Sequence, residues 1–292
     1  MSVKETSKIF RTVNTILMLI VVVLTIYPFL YLLAISFSSS AAVLTGKVTI
    51  IPKEFTTLAY SEVLSTKQFW IGYRNTFFYT IMGVFVSVSL TVMCAYPLSK
   101  PYLVGRNGIM KYIVFTMFFS GGLIPFFLVI KSLNMINTVW AIIIPGACSA
   151  YNVILMRTFF MGFPRSLEEA AEMDGATPLT VMFKIYLPNS KAILSTIALF
   201  YAVWYWNDWF NALILLNDND LQPVTMFLRN LLYGINMAGK SGGAVDGSAA
   251  ATTISQTIQA SATILVILPL LCVYPFVQKY FVSGVMIGSV KG

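Results

Sequence analysis

Six apolar runs, each about the roughly 20 residues a helix needs to cross a bilayer core, leave this chain few folds to choose from. They cover residues 13–37, 76–98, 112–130, 136–156, 192–215 and 257–281. In hydrocarbon every backbone amide must find its partner within the protein, so such runs become helices. The expected fold class is therefore all-α and integral to the membrane, with six transmembrane helices. Only 10% of the residues are charged, far below the roughly 25% of a soluble domain. The first run follows Lys4, Lys8 and Arg11, as a signal segment would. It outlasts the roughly 7–15 apolar residues of such a segment, and it is read as a retained helix.

Six crossings put both termini on one side. Of the 19 Lys and Arg residues, twelve fall on that side and seven opposite, although the opposite loops are the longer ones. Basic residues concentrate in cytoplasmic loops, so both termini are expected in the cytoplasm of a multi-pass plasma-membrane protein. Residues 1–12 form the N-terminal segment, 13–282 the membrane domain and 283–292 the tail, and the one flexible linker expected is the Gly/Ser/Ala-rich stretch 239–250. The net charge of +8 then reports orientation rather than nucleic acid.

Several activities are disfavoured by what the chain lacks. There is no histidine, so an acid–base enzyme would have to work with carboxylates alone. Cys94, Cys148 and Cys272 lie far apart inside apolar runs, which is neither the spacing of a metal site nor a disulfide framework. Asp208 is the one acidic residue inside a run, and the runs show no repeat, which argues against an ion-coupled carrier.

The loop between the fourth and fifth runs carries the densest chemistry. Four of the 11 acidic residues lie within 168–174. Ser166 and Glu169 are spaced as a capping box, and Gly175 supplies a left-handed stop, predicting a short helix over about 167–174. Thr177 and Pro178 then start a second helix, expected to finish by Leu187 because Pro188 disfavours helical geometry before it. Ala170 and Ala171 leave the first helix a nearly bare face, suited either to a solvated connector or to close approach by another protein.

Glu169-Ala170-Ala171, then Asp174-Gly175-Ala176, then Ile185 and Leu187-Pro188 resemble the signature loop of permease subunits in binding-protein-dependent ABC importers. The likeness extends along nearly the whole chain. Gly121-Gly122 with Pro125, and Asn137-Thr138 through Pro145, are similar to the maltose-type carbohydrate group, second permease, on the branch that takes complex oligosaccharides. The resemblance implies a non-catalytic subunit that binds no cofactor, with ATP and Mg held by partner proteins. The implied partners are a second permease, two cytoplasmic ATPases and an extracellular solute-binding protein. It further implies that the short helix enters a cleft of an ATPase, with Glu169 facing a basic residue there. The tail (Gly284, Gly288, Lys291) would reach the ATPase dimer. A non-sugar solute is the alternative within this class.

Gly234-Ile-Asn-Met-Ala-Gly239-Lys240-Ser241 spells a phosphate loop. That motif works only between a strand and a helix N-terminus, and the segment falls on the external side, so it is read as a coincidence. A sugar path is sought in the fifth run, at Trp204, Trp206, Asn207 and Asp208. Aromatic faces stack on sugar rings, and amides and carboxylates bind hydroxyls. An interfacial aromatic belt is the simpler alternative, and Asp208 could serve a partner helix instead. Tyr151 and Asn152 of the fourth run are further candidates.

Overall fold

The computed structural model describes residues 8–238, 256–273 and 275, and among them it is helical with connecting turns and no strand. The chain divides into two compact units, residues 1–67 with 228–268, and residues 68–227 with 269–292.

In the first unit the helix Lys8–Ser36 runs 29 residues through its internal Pro28. Its most apolar window has mean hydropathy 2.7 and no buried residue, as suits a helix solvated by lipid or another chain. Two short helices follow, Ser40–Leu44, capped by the Ser39 hydroxyl, and Leu58–Ser65. Phe37 stacks on Phe55 and packs on Tyr60. The helix Gln256–Val273 meets the end of the first helix through small polar contacts, Ser261 Oγ donating to the Ser36 carbonyl at 3.4 Å. Hydroxyl contacts of this kind hold helices together where lipid offers no hydrophobic incentive.

The second unit is built on the helix Lys67–Ser99, 33 residues long and hence about 50 Å. It outreaches the run at 76–98 by more than two turns. The reason lies in what the extension holds. Asn75 donates to the carbonyls of Asp220 and Gln222 at 2.7 and 3.1 Å, Tyr79 donates to that of Leu221 at 2.7 Å, and Thr76 accepts from the Val224 amide.

The remaining runs differ from the continuous spans expected. Three described helices are long and apolar enough to cross a membrane, or four if the bent pair Arg106–Phe118 and Leu123–Ser132 counts as one. That pair turns by 117° at Gly122, whose φ of 83° suits glycine far better than any side-chain-bearing residue. The fourth run is interrupted around Pro145 and Gly146, leaving helices Trp140–Ile143 and Ala150–Met161. The fifth divides into Lys191–Asn207 and Phe210–Leu215.

Broken helices survive at membrane depth only when protein re-satisfies the freed backbone groups, and tyrosines do this here. Tyr205 donates to the Ile143 carbonyl at 2.7 Å and Tyr201 accepts from the Ser149 amide at 3.0 Å, one on each side of the break. The same hydroxyls pair with Ser87 and Thr91 of the long helix. At the fifth-run break Asp208 accepts from the Asn211 amide at 3.1 Å and from its side chain at 2.9 Å.

Candidate functional site

The loop after the fourth run folds as two short helices joined through Gly175. The first is Arg165–Met173, beginning two residues earlier than expected. Pro164 occupies the capping position and no side chain caps the helix, so the predicted Ser166–Glu169 box does not form. Ser166 is already inside the helix, because Pro164 is extended and the helical turn starts directly after it. The far end follows the sequence reading. Gly175 adopts φ 78°, its amide donates to the Glu172 carbonyl at 3.0 Å, and the Ala176 amide donates to that of Ala171 at 2.9 Å. This is the paired-bond stop that a left-handed glycine allows, and Asp174 is the residue just before it.

Thr177 caps the second helix through the Thr180 amide, with Pro178 first inside. That helix does not end before Pro188. It widens into a π turn over Met182–Tyr186 and continues through Leu187–Asn189. The wider turn accommodates the proline ring, and two side chains just after it bond its last carbonyls. Asn189 donates to Ile185 and Ser190 to Tyr186.

No residue of the helix Arg165–Met173 is buried. Glu169, Ala170 and Glu172 face solvent, together with Leu167 and Met173, the latter 88% exposed. Ala171 turns inward onto the cluster formed by Tyr96, Met156, Phe160 and Tyr186. The residue that ties the helix down is Glu168, which the sequence reading did not single out. Its carboxylate pairs with Lys100 Nζ at 2.7 Å, and the Lys100 side chain is 4% exposed. Lys100 also donates to the Tyr186 hydroxyl at 2.9 Å and lies over the rings of Tyr96 and Tyr186. Tyr102 donates to the other carboxylate oxygen at 3.2 Å.

Burial pulls the Lys100 ammonium below its ordinary value, and the adjacent Glu168 opposes that shift. Burial first, then the Glu168 charge, pushes the Tyr186 phenol up to about 12. A buried lysine is tolerable only with a partner and hydrogen bonds. Here it has a carboxylate, a hydroxyl and two aromatic faces. The available signals were the lysine directly after the long helix and the surplus of acid in the loop.

Tyr151, Asn152 and Trp204 come together in a cleft of about 430 Å³, with Gly146, Ser149, Phe200 and Tyr201 around them. The Trp204 ring lies directly on Gly146, where a Cβ would fall within 2.2 Å of it. The cleft is thus walled by aromatic faces, with the amide of Asn152 as a polar contact. Trp206 is elsewhere. It is 4% exposed and packs edge-on against Phe77 and Tyr73. Asn207 is exposed and donates back to the Val203 carbonyl at 2.8 Å, and Asp208 holds the break as described.

The tail residues Gly284, Gly288 and Lys291 lie outside the described residues, as do Gly239, Lys240 and Ser241. The first half of the phosphate-loop match belongs to the helix Val224–Ala238. A phosphate loop is irregular there and starts a helix afterwards, so this backbone is wrong for one. Among the described residues no group of three or more metal-ligating side chains is gathered.

The family described as the inner membrane component of binding-protein-dependent transport systems matches residues 87–287. The chain is 40% identical to the protein LplC of Bacillus subtilis, over 99% of this chain and 97% of that one. It is also 40% identical to the polygalacturonan/rhamnogalacturonan transport system permease protein YtcP of the same species, over 91% and 93%. A crystal structure of a bacterial ABC transporter involved in importing the acidic polysaccharide alginate contains a chain that superposes with a TM-score of 0.85. That match has 37% identity and covers 96% of this chain and 99% of the other.

Proposed function

Because the chain belongs to the inner-membrane components of binding-protein-dependent transport systems, we propose that it forms, with a second permease, the membrane path of an ATP-driven oligosaccharide importer. Both termini are cytoplasmic and the six apolar runs all cross, three of them as broken helices. The helix Arg165–Met173 docks on a cytoplasmic ATPase, and ATP is bound and hydrolysed by that partner rather than by this chain. An extracellular binding protein delivers the sugar. The observation that carries this reading is a helix with no buried residue, offering Leu167, Glu169, Ala170 and Met173, yet fixed from behind by a buried ion pair.

The cleft of Tyr151, Asn152 and Trp204 is the part of the path that touches sugar. Two of the similar proteins handle acidic polysaccharides, polygalacturonan/rhamnogalacturonan in one case and alginate in the other. Uronate-bearing oligosaccharides are therefore the first substrate class to test. The chain is co-expressed with a candidate second permease, ATPase and binding protein, and the complex is reconstituted in liposomes. ATP hydrolysis should rise when the binding protein is loaded with oligogalacturonate or oligoalginate. Stimulation by amino acids or polyamines and by no saccharide would overturn the substrate reading. ATP hydrolysis by this chain alone would overturn its non-catalytic role.

A further inference from the structure

The helix Arg165–Met173 has no side chain in the core. Something must nevertheless make it move with the membrane helices if pushing on it is to do any work. Two kinds of contact are available, the half-buried Ala171 with Ala176 against the core, and Glu168. Small apolar contacts resist sliding weakly, because alanine methyls offer little area. The Glu168 carboxylate is different in kind. It is tied to Lys100, the first residue after the helix Lys67–Ser99, and to Tyr186 on the π turn. Arg157, near the end of the helix Ala150–Met161, donates to the Leu98 carbonyl at 2.7 Å and pins the same corner. Four helical segments converge on one buried charge pair.

We propose that the Lys100–Glu168 pair is a rigid strut, the positioning contact that makes the docking helix and the long helix Lys67–Ser99 move as one body. This rests on the docking role given above to the helix Arg165–Met173. The physical case is the asymmetry of a buried pair. Intact, it is held by the lysine's hydrogen bonds and by two aromatic faces. With either partner removed, a largely buried charge is left without its counter-ion, and the surrounding structure rearranges to compensate it. The corner therefore holds one geometry while both charges are present and loses that geometry when one is gone.

The test uses the reconstituted complex with Cys94, Cys148 and Cys272 replaced by serine. Spin labels are placed at Ser166→Cys on the docking helix, clear of the residues offered to the ATPase, and at Met93→Cys on the long helix, both exposed positions. The label-to-label distance distribution should be narrow, and the same with and without ATP. Glu168→Gln or Lys100→Met should broaden it and reduce hydrolysis stimulated by loaded binding protein by about tenfold or more. An unlabelled Lys100→Cys/Glu168→Cys pair, joined by a short bismaleimide, should recover that stimulation.

A distance that shifts with ATP in the unmodified complex would overturn the strut, because the corner would then be a joint. So would single variants that keep a narrow distribution, or a cross-link that inhibits. If no saccharide stimulates the unmodified complex, the transport reading fails on that assay, while the label distances still decide the strut.

Discussion

Gly83→Ala is a sharp test of how the long helix and the fifth run fit together. A Cβ at position 83 would stand 2.5, 2.6 and 2.7 Å from three ring atoms of Tyr205, where carbon contacts favour about 3.5–4.0 Å. The ring would have to retreat by roughly 1 Å. It is buried and tethered by its hydroxyl to the Ile143 carbonyl at 2.7 Å and to Ser87 at 3.0 Å. Overpacking costs about 1–3 kcal/mol, and losing the Ile143 bond adds about 0.5–1.5 kcal/mol. Alanine's better helix propensity returns up to about 1 kcal/mol. The net destabilisation expected is about 0.5–4.5 kcal/mol.

Unfolding of the purified chain by SDS in mixed micelles, followed by tryptophan fluorescence, measures it. In a Tyr205→Phe background the ring is no longer tethered, so adding Gly83→Ala should cost less than it does in the wild type. The two changes should be non-additive by about 0.5 kcal/mol or more. Strict additivity, or a Gly83→Ala variant as stable as wild type, would refute the tethered-ring argument.

The joint at Gly175 gives a graded pair. A Cβ there meets nothing within 4 Å, so Gly175→Ala bears only the strain of its left-handed backbone, about 1–2 kcal/mol, and should keep most stimulated ATP hydrolysis. Gly175→Pro cannot adopt that φ and deletes the bond to Glu172; wild-type uptake in this variant would sink the docking assignment. In the cleft, Trp204→Ala and Tyr151→Ala should lower uptake of a limiting labelled oligosaccharide by up to about tenfold, at roughly 0.5–1.5 kcal/mol per lost stacking face. Asn207→Ala should stay near wild type, since that side chain bonds its own helix, and the reverse ranking would move the path. Lys240→Ala should leave ATP hydrolysis by the complex unchanged; a tenfold loss would restore the phosphate loop that its spelling suggests.

What could be read from the residues was the placement of apolar chain, because the bilayer imposes length directly. The breaks were only half legible. Gly121, Gly122 and Pro125 announce an interruption, yet the 117° turn depends on Gly122 taking a positive φ, which composition does not dictate. The break at 208–209 was hidden because Asp208 was read as a sugar-binding group, whereas its carboxylate accepts from Asn211 across the break. Two local rules failed for identifiable reasons. Pro164, ahead of Ser166, starts the helix too early for a capping box. Pro188 is absorbed because the helix widens into a π turn over Met182–Tyr186 just before it. Glu168 was overshadowed by its neighbour Glu169, since a motif marks the exposed residue while the buried one shows itself only beside Lys100.

The attachment of the helix Arg165–Met173 also bears on inheritance. Its hold on the membrane domain runs through Glu168 and Ala171 on one face, while Leu167, Glu169, Ala170 and Met173 lie exposed on the other. Exposed substitutions away from special features typically change stability by no more than about 0.5 kcal/mol. The outward face can therefore drift, or be exchanged wholesale for that of another lineage, without disturbing the cleft or the broken helices behind it. On the reading proposed above, fidelity to a particular motor and fidelity to a particular cargo would be recorded in separate parts of the chain, so selection could rewrite one while leaving the other intact.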